Sequence, residues 1–351
     1  MGIVKPLSIS GKRLSDEAIV SAFEQVLGEA GRFAGATSPN PPVGCALLDS
    51  AGNILAMAAH ERAGHAHAEA AAIALARQRG LTSRIHTVVV TLEPCNHHGR
   101  TPPCTEAILT TPAEFLVIGC ADPNPHVAGG GAVRLGEAGL DVTYLEAMIG
   151  EPAGAAALAC RRLIAPFAKK AATGLPWITL KQALDECGSM IPPSGEKTFT
   201  SAASLKLAHR LRRRADAILT GSGTVLADNP SFTVRHVSDF TEKKRSLAIL
   251  DRRGRVADSY LSEARARGFE PFVAQSFSDA LRQIGAAGAQ EVLVEAGPLL
   301  TEHILQSGLW DAHVVITKSA AANDGDAVAV RYRDEAFDLL KNTAWPLGDE
   351  E

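Results

Sequence analysis

His67, Glu69, Cys95 and Cys104 are the residues whose types and spacing could do chemistry. One imidazole and two thiolates leave a tetrahedral zinc ion a fourth, open position. His67 and Glu69 stand two apart in "HAHAEAAAIALARQ" (65–78). Cys95 follows the glutamate by 26 residues in "PCNHHGRTPPC", and Cys104 closes that segment. An open zinc site lowers the pKa of bound water towards neutrality. A filled coordination shell would exclude that nucleophile. Glu69 is therefore predicted to be a general acid/base that carries the water proton to a substrate nitrogen. His-x-Glu, then Pro-Cys and a second cysteine, is the signature of zinc nucleobase deaminases, although eight residues separate these cysteines where that signature has two. Taken singly, each residue could be a buried small hydrophobe or a surface histidine. Taken together they point to catalytic zinc, because a structural zinc site has no use for Glu69. His65 lies four residues before Glu69 and is predicted to be a loop residue without a required role.

Around these residues the chain alternates helices and strands. A helix is predicted from the Ser15 cap, with Asp16 and Glu17 in its first turn and Gly31 near its end. The Pro-rich loop "TSPNPPVG" leads into a hairpin made of "VGCALLD" and "NILAMAAH". His67 opens the next helix, Cys95 is predicted to end the strand "HTVVVTLEPC", and Cys104 follows two prolines at a helix start, where the dipole favours a thiolate. "EFLVIGCADPNP" and "LDVTYLE" read as further strands. A mainly helical stretch, 151–175, precedes a second alternation. There "PWITLKQAL", "DAILTGSGTVL", "SLAILDRR", "EPFVAQSF", "QEVLVEAGPLL" and "DAHVVITKSA" are strand-like, while "SAASLKLAHRLRRR" and "SFSDALRQIGAAG" are helical. Two consecutive α/β domains follow, divided as 1–155, a connector 156–175, and 176–351. "EAFDLLK" in the tail reads as a short terminal helix.

A length of 351 residues accommodates two cores, and a net charge of −4 argues against a broad basic surface for nucleic acid. No apolar run reaches a membrane span, and the first residues lack the apolar core of a secretory signal. Six cysteines in a chain of this length are too sparse for a disulfide scaffold, which suits a cytoplasmic protein with reduced thiols. "RLRRR" (210–214) is either a local binding feature or a solvated charged face.

"SPNPPVG" (38–44), "HAE" (67–69), "TLEPCNHHGRTPPC" (91–104) and "ADPNP" (121–125) together resemble the bifunctional deaminase–reductase family of riboflavin biosynthesis. The long cysteine gap is a feature of that family. The resemblance continues through "ITLKQAL" (178–184), "GSGTVLADNPSFTVR" (221–235) and "VEAGPLL" (294–300). It implies a cytidine-deaminase-like α/β/α domain followed by a dihydrofolate-reductase-like α/β domain. The implied reactions are zinc-dependent hydrolytic deamination of a diaminopyrimidinone ribosyl phosphate, then NADPH-dependent reduction of its ribosyl group to ribityl. Carried over by position, His67, Cys95 and Cys104 are Zn2+ ligands, Glu69 is the proton shuttle, and Asn40, His60 and His97 contact the pyrimidine. Lys181, Arg212, Phe232, Arg235 and Glu295 fall at reductase substrate positions, and Ala183, Thr224, Asp228 and Gly297 at NADPH positions. The implied partner is a small pyrimidine nucleotide, with no nucleic acid or membrane, and the implied assembly is a homo-oligomer.

The second half departs from the family pattern. "DECG" puts Cys187 at an aspartate position, "GEKTFT" (195–200) is one residue short and has Thr198 but no tryptophan, Ala296 replaces a glycine, and Lys318 a proline. These changes leave open a deaminase whose second domain is only a scaffold. Two rival functions stand beside it: deamination of a base within nucleic acid, and zinc binding in a purely structural or interaction protein.

Overall fold

The computed structural model describes residues 11–98, 102–123, 130–192, 198–240, 242–319 and 325–333. The chain divides into two compact units between Ala172 and Thr173.

In the first unit, α1 (Asp16–Arg32) is capped by Ser15, whose hydroxyl accepts from the Ala18 N–H. Strands β1 (Gly44–Leu48) and β2 (Ile54–Ala59) form the antiparallel hairpin, and β1 also pairs antiparallel with β3 (Thr87–Val90). Parallel strands β4 (Phe115–Ile118) and β5 (Asp141–Tyr144) complete the sheet in the order β2-β1-β3-β4-β5. Alternate residues serve opposite faces, as the two-residue strand period requires. Cys45, Leu47, Val88 and Val90 pack with Ala68, Ala72, Ile73 and Ala76 of α2 (Ala68–Gln78), and with Ile108 of α3 (Cys104–Leu109) and Leu135 of α4 (Gly130–Glu137). Ala46, Leu48, Val89 and Val117 pack instead with Ile19, Phe23 and Val26 of α1 and with Ala153, Ala156, Ala157 and Cys160 of α5 (Glu151–Leu163). The result is the α/β/α layering implied by the resemblance. The stretch read as a connector forms the end of α5 and α6 (Ala165–Thr173), and α5 is core rather than linker because its alanine face closes one side of the sheet.

The second unit is built on β6 (Trp177–Leu184), β7 (Ala217–Gly221), β8 (Arg245–Leu250), β9 (Phe269–Ala274), β10 (Glu291–Glu295), β11 (Ala312–Thr317) and β12 (Ala327–Tyr332). Their order is β12-β11-β6-β10-β7-β8-β9; β12 is antiparallel to β11, and every other neighbouring pair is parallel. Helices α7 (Ala202–Arg214), α8 (Ser222–Asp228), α9 (Asp258–Ala266), α10 (Phe277–Ala286) and α11 (Pro298–Ser307) connect the strands. Two predicted strands prove shorter than their apolar runs. β7 stops at Gly221, whose extended backbone caps α8, and β10 stops at Glu295 because Pro298 starts α11. The tail segment "EAFDLLK" (335–341) lies outside the described residues.

"RLRRR" is not a solvated face. Arg213 and Arg214 are buried, and Arg214 Nε donates to Glu291 Oε2 at 2.5 Å. Lys243 Nζ lies 2.9 Å from Asp216 Oδ1 and donates to the Arg214 carbonyl at 2.6 Å, while Arg245 pairs with Asp239. Asp216, Arg245 and Glu291 stand at the N-terminal ends of β7, β8 and β10, so this network fastens the sheet at the end away from the strands' C-termini. Among the described residues no helix is long and apolar enough to cross a membrane. Substituting Lys243→Met leaves the Asp216 carboxylate without its cation, and should lower stability by about 3 kcal/mol in denaturant unfolding.

Candidate functional sites

The metal-type donors of the first unit converge. His67 Nδ1, Cys95 Sγ and Cys104 Sγ lie within 4.8 Å of one another, with His67 Nδ1 3.3 Å from the Cys104 sulfur and 3.6 Å from that of Cys95. Ligand arms of the usual zinc lengths give tetrahedral edges of about 3.5 Å, so the donor set fits zinc both in chemistry and in spacing. His67 is the N-cap of α2, and Cys104 is the first residue of α3. Cys95 does not end a strand: β3 stops at Val90, and Cys95 lies in the loop beyond it, where its sulfur accepts from the Cys104 N–H at 3.3 Å. Hydrogen bonding with Cys104, opposed by burial and aided by His67, holds Cys95 well below the usual thiol range. Glu69, in the first turn of α2, is buried with 3% exposure, and its Oε2 lies 3.2 Å from Cys104 Sγ. Burial raises its carboxyl above the ordinary range.

Two more residues face this group. His60 Nδ1 lies 3.0 Å from the Ala66 carbonyl, so that nitrogen carries the proton and Nε2 accepts from Asn40 Nδ2 at 3.2 Å. Burial, with the neighbouring His67 and His65, depresses its basicity, and the His60 and His67 rings meet edge-on at 5.2 Å. Asn40 is itself fixed, its N–H donating to the Thr37 carbonyl and its own carbonyl accepting from the Thr37 hydroxyl. His97 is exposed on the loop past Cys95, and His65 is exposed and bonded to Arg62.

Glu93 lies within the 91–104 motif without an assigned role, and its carboxylate ties the Cys95 loop to α4. Glu93 Oε1 accepts from the N–H groups of Gly131 and Ala132 at 3.1 and 3.2 Å. Gly131 sits so close that a Cβ there would lie 1.9 Å from the Pro94 carbonyl oxygen. Thr105 Oγ1 donates to Asn96 Oδ1, tying the loop to α3 as well.

In the second unit a cleft of about 900 Å³ opens over the carboxyl ends of β6, β10 and β7, where open α/β sheets bind ligands. Lys181, Ala183, Arg212, Thr224, Asp228, Phe232, Arg235 and Glu295 line it. Arg212 holds Glu295 through two parallel hydrogen bonds, Nε to Oε1 at 2.5 Å and Nη2 to Oε2 at 2.9 Å. Burial opposes the charge on Glu295, but Arg212, helped by Lys181, keeps the carboxyl at about 2. Lys181 is shifted down by burial. Gly297 N–H donates to Thr224 Oγ1 at 3.1 Å, joining the two turns expected to receive the cofactor.

The sequence of residues 17–120 matches the cytidine and deoxycytidylate deaminase zinc-binding region, and residues 176–320 match the RibD C-terminal domain. The riboflavin biosynthesis protein RibD of Escherichia coli is 34% identical over 82% of this chain and 84% of its own. That of Mycobacterium tuberculosis H37Rv is 36% identical over 84% of this chain and 81% of its own. The chain belongs to the RibD family. A solved structure of the Thermotoga maritima diaminohydroxyphosphoribosylaminopyrimidine deaminase/5-amino-6-(5-phosphoribosylamino)uracil reductase superposes with a TM-score of 0.72 at 29% identity, covering 88% of this chain and 89% of that one. Like other RibD proteins, this one joins a zinc-dependent deaminase to an NADPH-dependent reductase in riboflavin biosynthesis.

The departures from the RibD pattern have physical homes. Cys187 is exposed in a turn that Asp185 Oδ1 closes by accepting from the N–H groups of Cys187 and Ser189. Lys318 lies 3.7 Å from Glu186 across that turn. Thr198 and Ala296 line the cleft without filling it, and of "GEKTFT" residues 195–197 lie outside the described residues. Gly131→Ala is the sharpest test of the support around Cys95. Its methyl must displace the Pro94 carbonyl, so purified protein should carry clearly less zinc by elemental analysis and melt at lower temperature.

Proposed function

We propose that the first unit removes the exocyclic amine of 2,5-diamino-6-(5-phosphoribosylamino)pyrimidin-4-one and that the second reduces the ribosyl group of the deaminated product to ribityl. The observation that carries this reading is the convergence of His67, Cys95 and Cys104 beside a buried Glu69. In this reading the three donors hold zinc, which when bound supplies the Lewis acidity that makes a water nucleophilic near neutral pH. Glu69 is the general acid/base. Burial raises its carboxyl above the ordinary range, and its place on the first turn of α2 sets Oε2 3.2 Å from the Cys104 sulfur, next to the donors. Asn40 and His60 orient the pyrimidine, and exposed His97 closes on it from the cysteine loop.

In the second unit Ala183, Thr224, Asp228 and Gly297 hold NADPH, which supplies hydride when bound. Lys181, Arg212, Phe232, Arg235 and Glu295 hold the nucleotide. The ionised Arg212–Glu295 pair gives a fixed polar wall, while Arg235, exposed at the rim, is placed to meet the ribose phosphate. The polar lining of the cleft favours a working reductase over a scaffold. The first unit, through Ala172, is proposed as the deaminase and the second, from Thr173, as the reductase, and the enzyme as a cytoplasmic homo-oligomer acting on free nucleotides.

Incubating the full chain with the diaminopyrimidinone nucleotide should exchange one amine for oxygen by product mass, and adding NADPH should then add two hydrogens. Deamination without NADPH oxidation would reduce the second unit to a scaffold. Glu69→Gln should retain zinc while losing about a hundredfold or more in deamination rate. A variant that keeps its rate would remove the glutamate from the mechanism.

A further inference from the structure

The loop from Asn229 to Arg235 carries two proposed substrate residues, Phe232 and Arg235, in an unusual backbone. Asn229, with φ 40°, is the left-handed C-cap of α8, whereas Phe232 has φ 55°, a conformation that bulky residues adopt rarely and that persists only where the surroundings hold it. Three contacts do the holding. The Tyr260 hydroxyl donates to the Pro230 carbonyl at 2.7 Å, and Arg212 Nη1 donates to the Thr233 carbonyl at 3.3 Å. The third contact reaches the end of the loop: the Arg235 N–H donates to His209 Nδ1 at 2.9 Å.

His209 lies on α7, is 3% exposed, and lines the same cleft. We infer that His209 is a positioning residue of the reductase, a neutral acceptor that fixes the Arg235 backbone and so sets Phe232 and Arg235 against the nucleotide. The inference rests on reading the cleft as the reductase site. Because Nδ1 accepts, the ring proton belongs on Nε2, and the imidazole must stay neutral for the bond to survive. Its surroundings ensure this. Burial comes first, then the charges of Arg212, His236 and Arg235, and together they keep His209 at about 4. The His236 ring packs edge-on against the imidazole at 4.6 Å. A side chain that touches the backbone of the phosphate-gripping residue, rather than the reacting atoms, should act on substrate binding and not on hydride transfer.

The test is steady-state NADPH oxidation by the full chain with the deaminated nucleotide. His209→Leu keeps volume but offers no acceptor, and His209→Asn offers a carbonyl oxygen near the Nδ1 position. Thermal unfolding of both variants reports whether the fold is kept. Losing one buried hydrogen bond corresponds to about a tenfold change, so His209→Leu should raise KM about tenfold with kcat within about twofold. His209→Asn should recover most of that loss. In an Arg235→Ala background, His209→Leu should add little, because both act through one residue. A wild-type KM in His209→Leu, no recovery in His209→Asn, or a loss confined to kcat would overturn the proposal. A wild-type chain that oxidises no NADPH would instead overturn the reductase reading on which it stands.

Discussion

Three donors brought within 4.8 Å of one another are the constraint on which the first unit is organised. Two thiols and an imidazole at that range do not hold together by themselves, since burial disfavours their charged forms and no large apolar area is gained by bringing them close. The convergence has to be imposed by the backbone. The N-terminal ends of two helices impose it from one side, and from the other a loop fastened by a buried carboxylate. Glu93 meets the N–H groups of Gly131 and Ala132, Thr105 reaches Asn96, and the sulfur of Cys95 takes the N–H of Cys104. Each bond satisfies a backbone or side-chain group that burial would otherwise penalise, so fastening the loop and closing the fold are one event.

The second unit divides its charges between the two ends of a parallel sheet. At the N-terminal ends, Arg214 pairs with Glu291, Lys243 with Asp216 and Arg245 with Asp239, and these pairs tie strands together. Near the C-terminal ends, Arg212 and Glu295 satisfy each other while Lys181 and Arg235 line the same cleft. A single arginine run supplies both: Arg212 turns to the cleft, and Arg214 to the fastening end. Helical periodicity explains the split, because neighbouring residues on a helix point about 100° apart.

How much of this is legible in the sequence depends on the range of the interaction. Ser15, the hairpin of "VGCALLD" and "NILAMAAH" and His67 at a helix start are local signals, and the structure has each of them. The ends of β7 and β10 are harder to read, because "TVL" and "PLL" continue the apolar runs although Gly221 and Pro298 redirect the backbone. Glu93 is invisible, since its partners lie 38 and 39 residues away and an acid before a proline carries no signal of what it will cap. "RLRRR" misleads for the same reason: its partners Glu291 and Glu295 are distant in the chain.

The alanine face of α2 has a mechanical consequence. Ala68, Ala72 and Ala76 are fully buried and bring little side-chain bulk between helix and sheet, so the helix seats directly on the strands. His67 at its cap and Glu69 in its first turn therefore travel as one rigid body. A tilt or slide of that helix moves the proposed metal donor and proton carrier together and keeps their backbone spacing fixed. In the proposed reaction, holding the metal and carrying the proton would be geared to a single part.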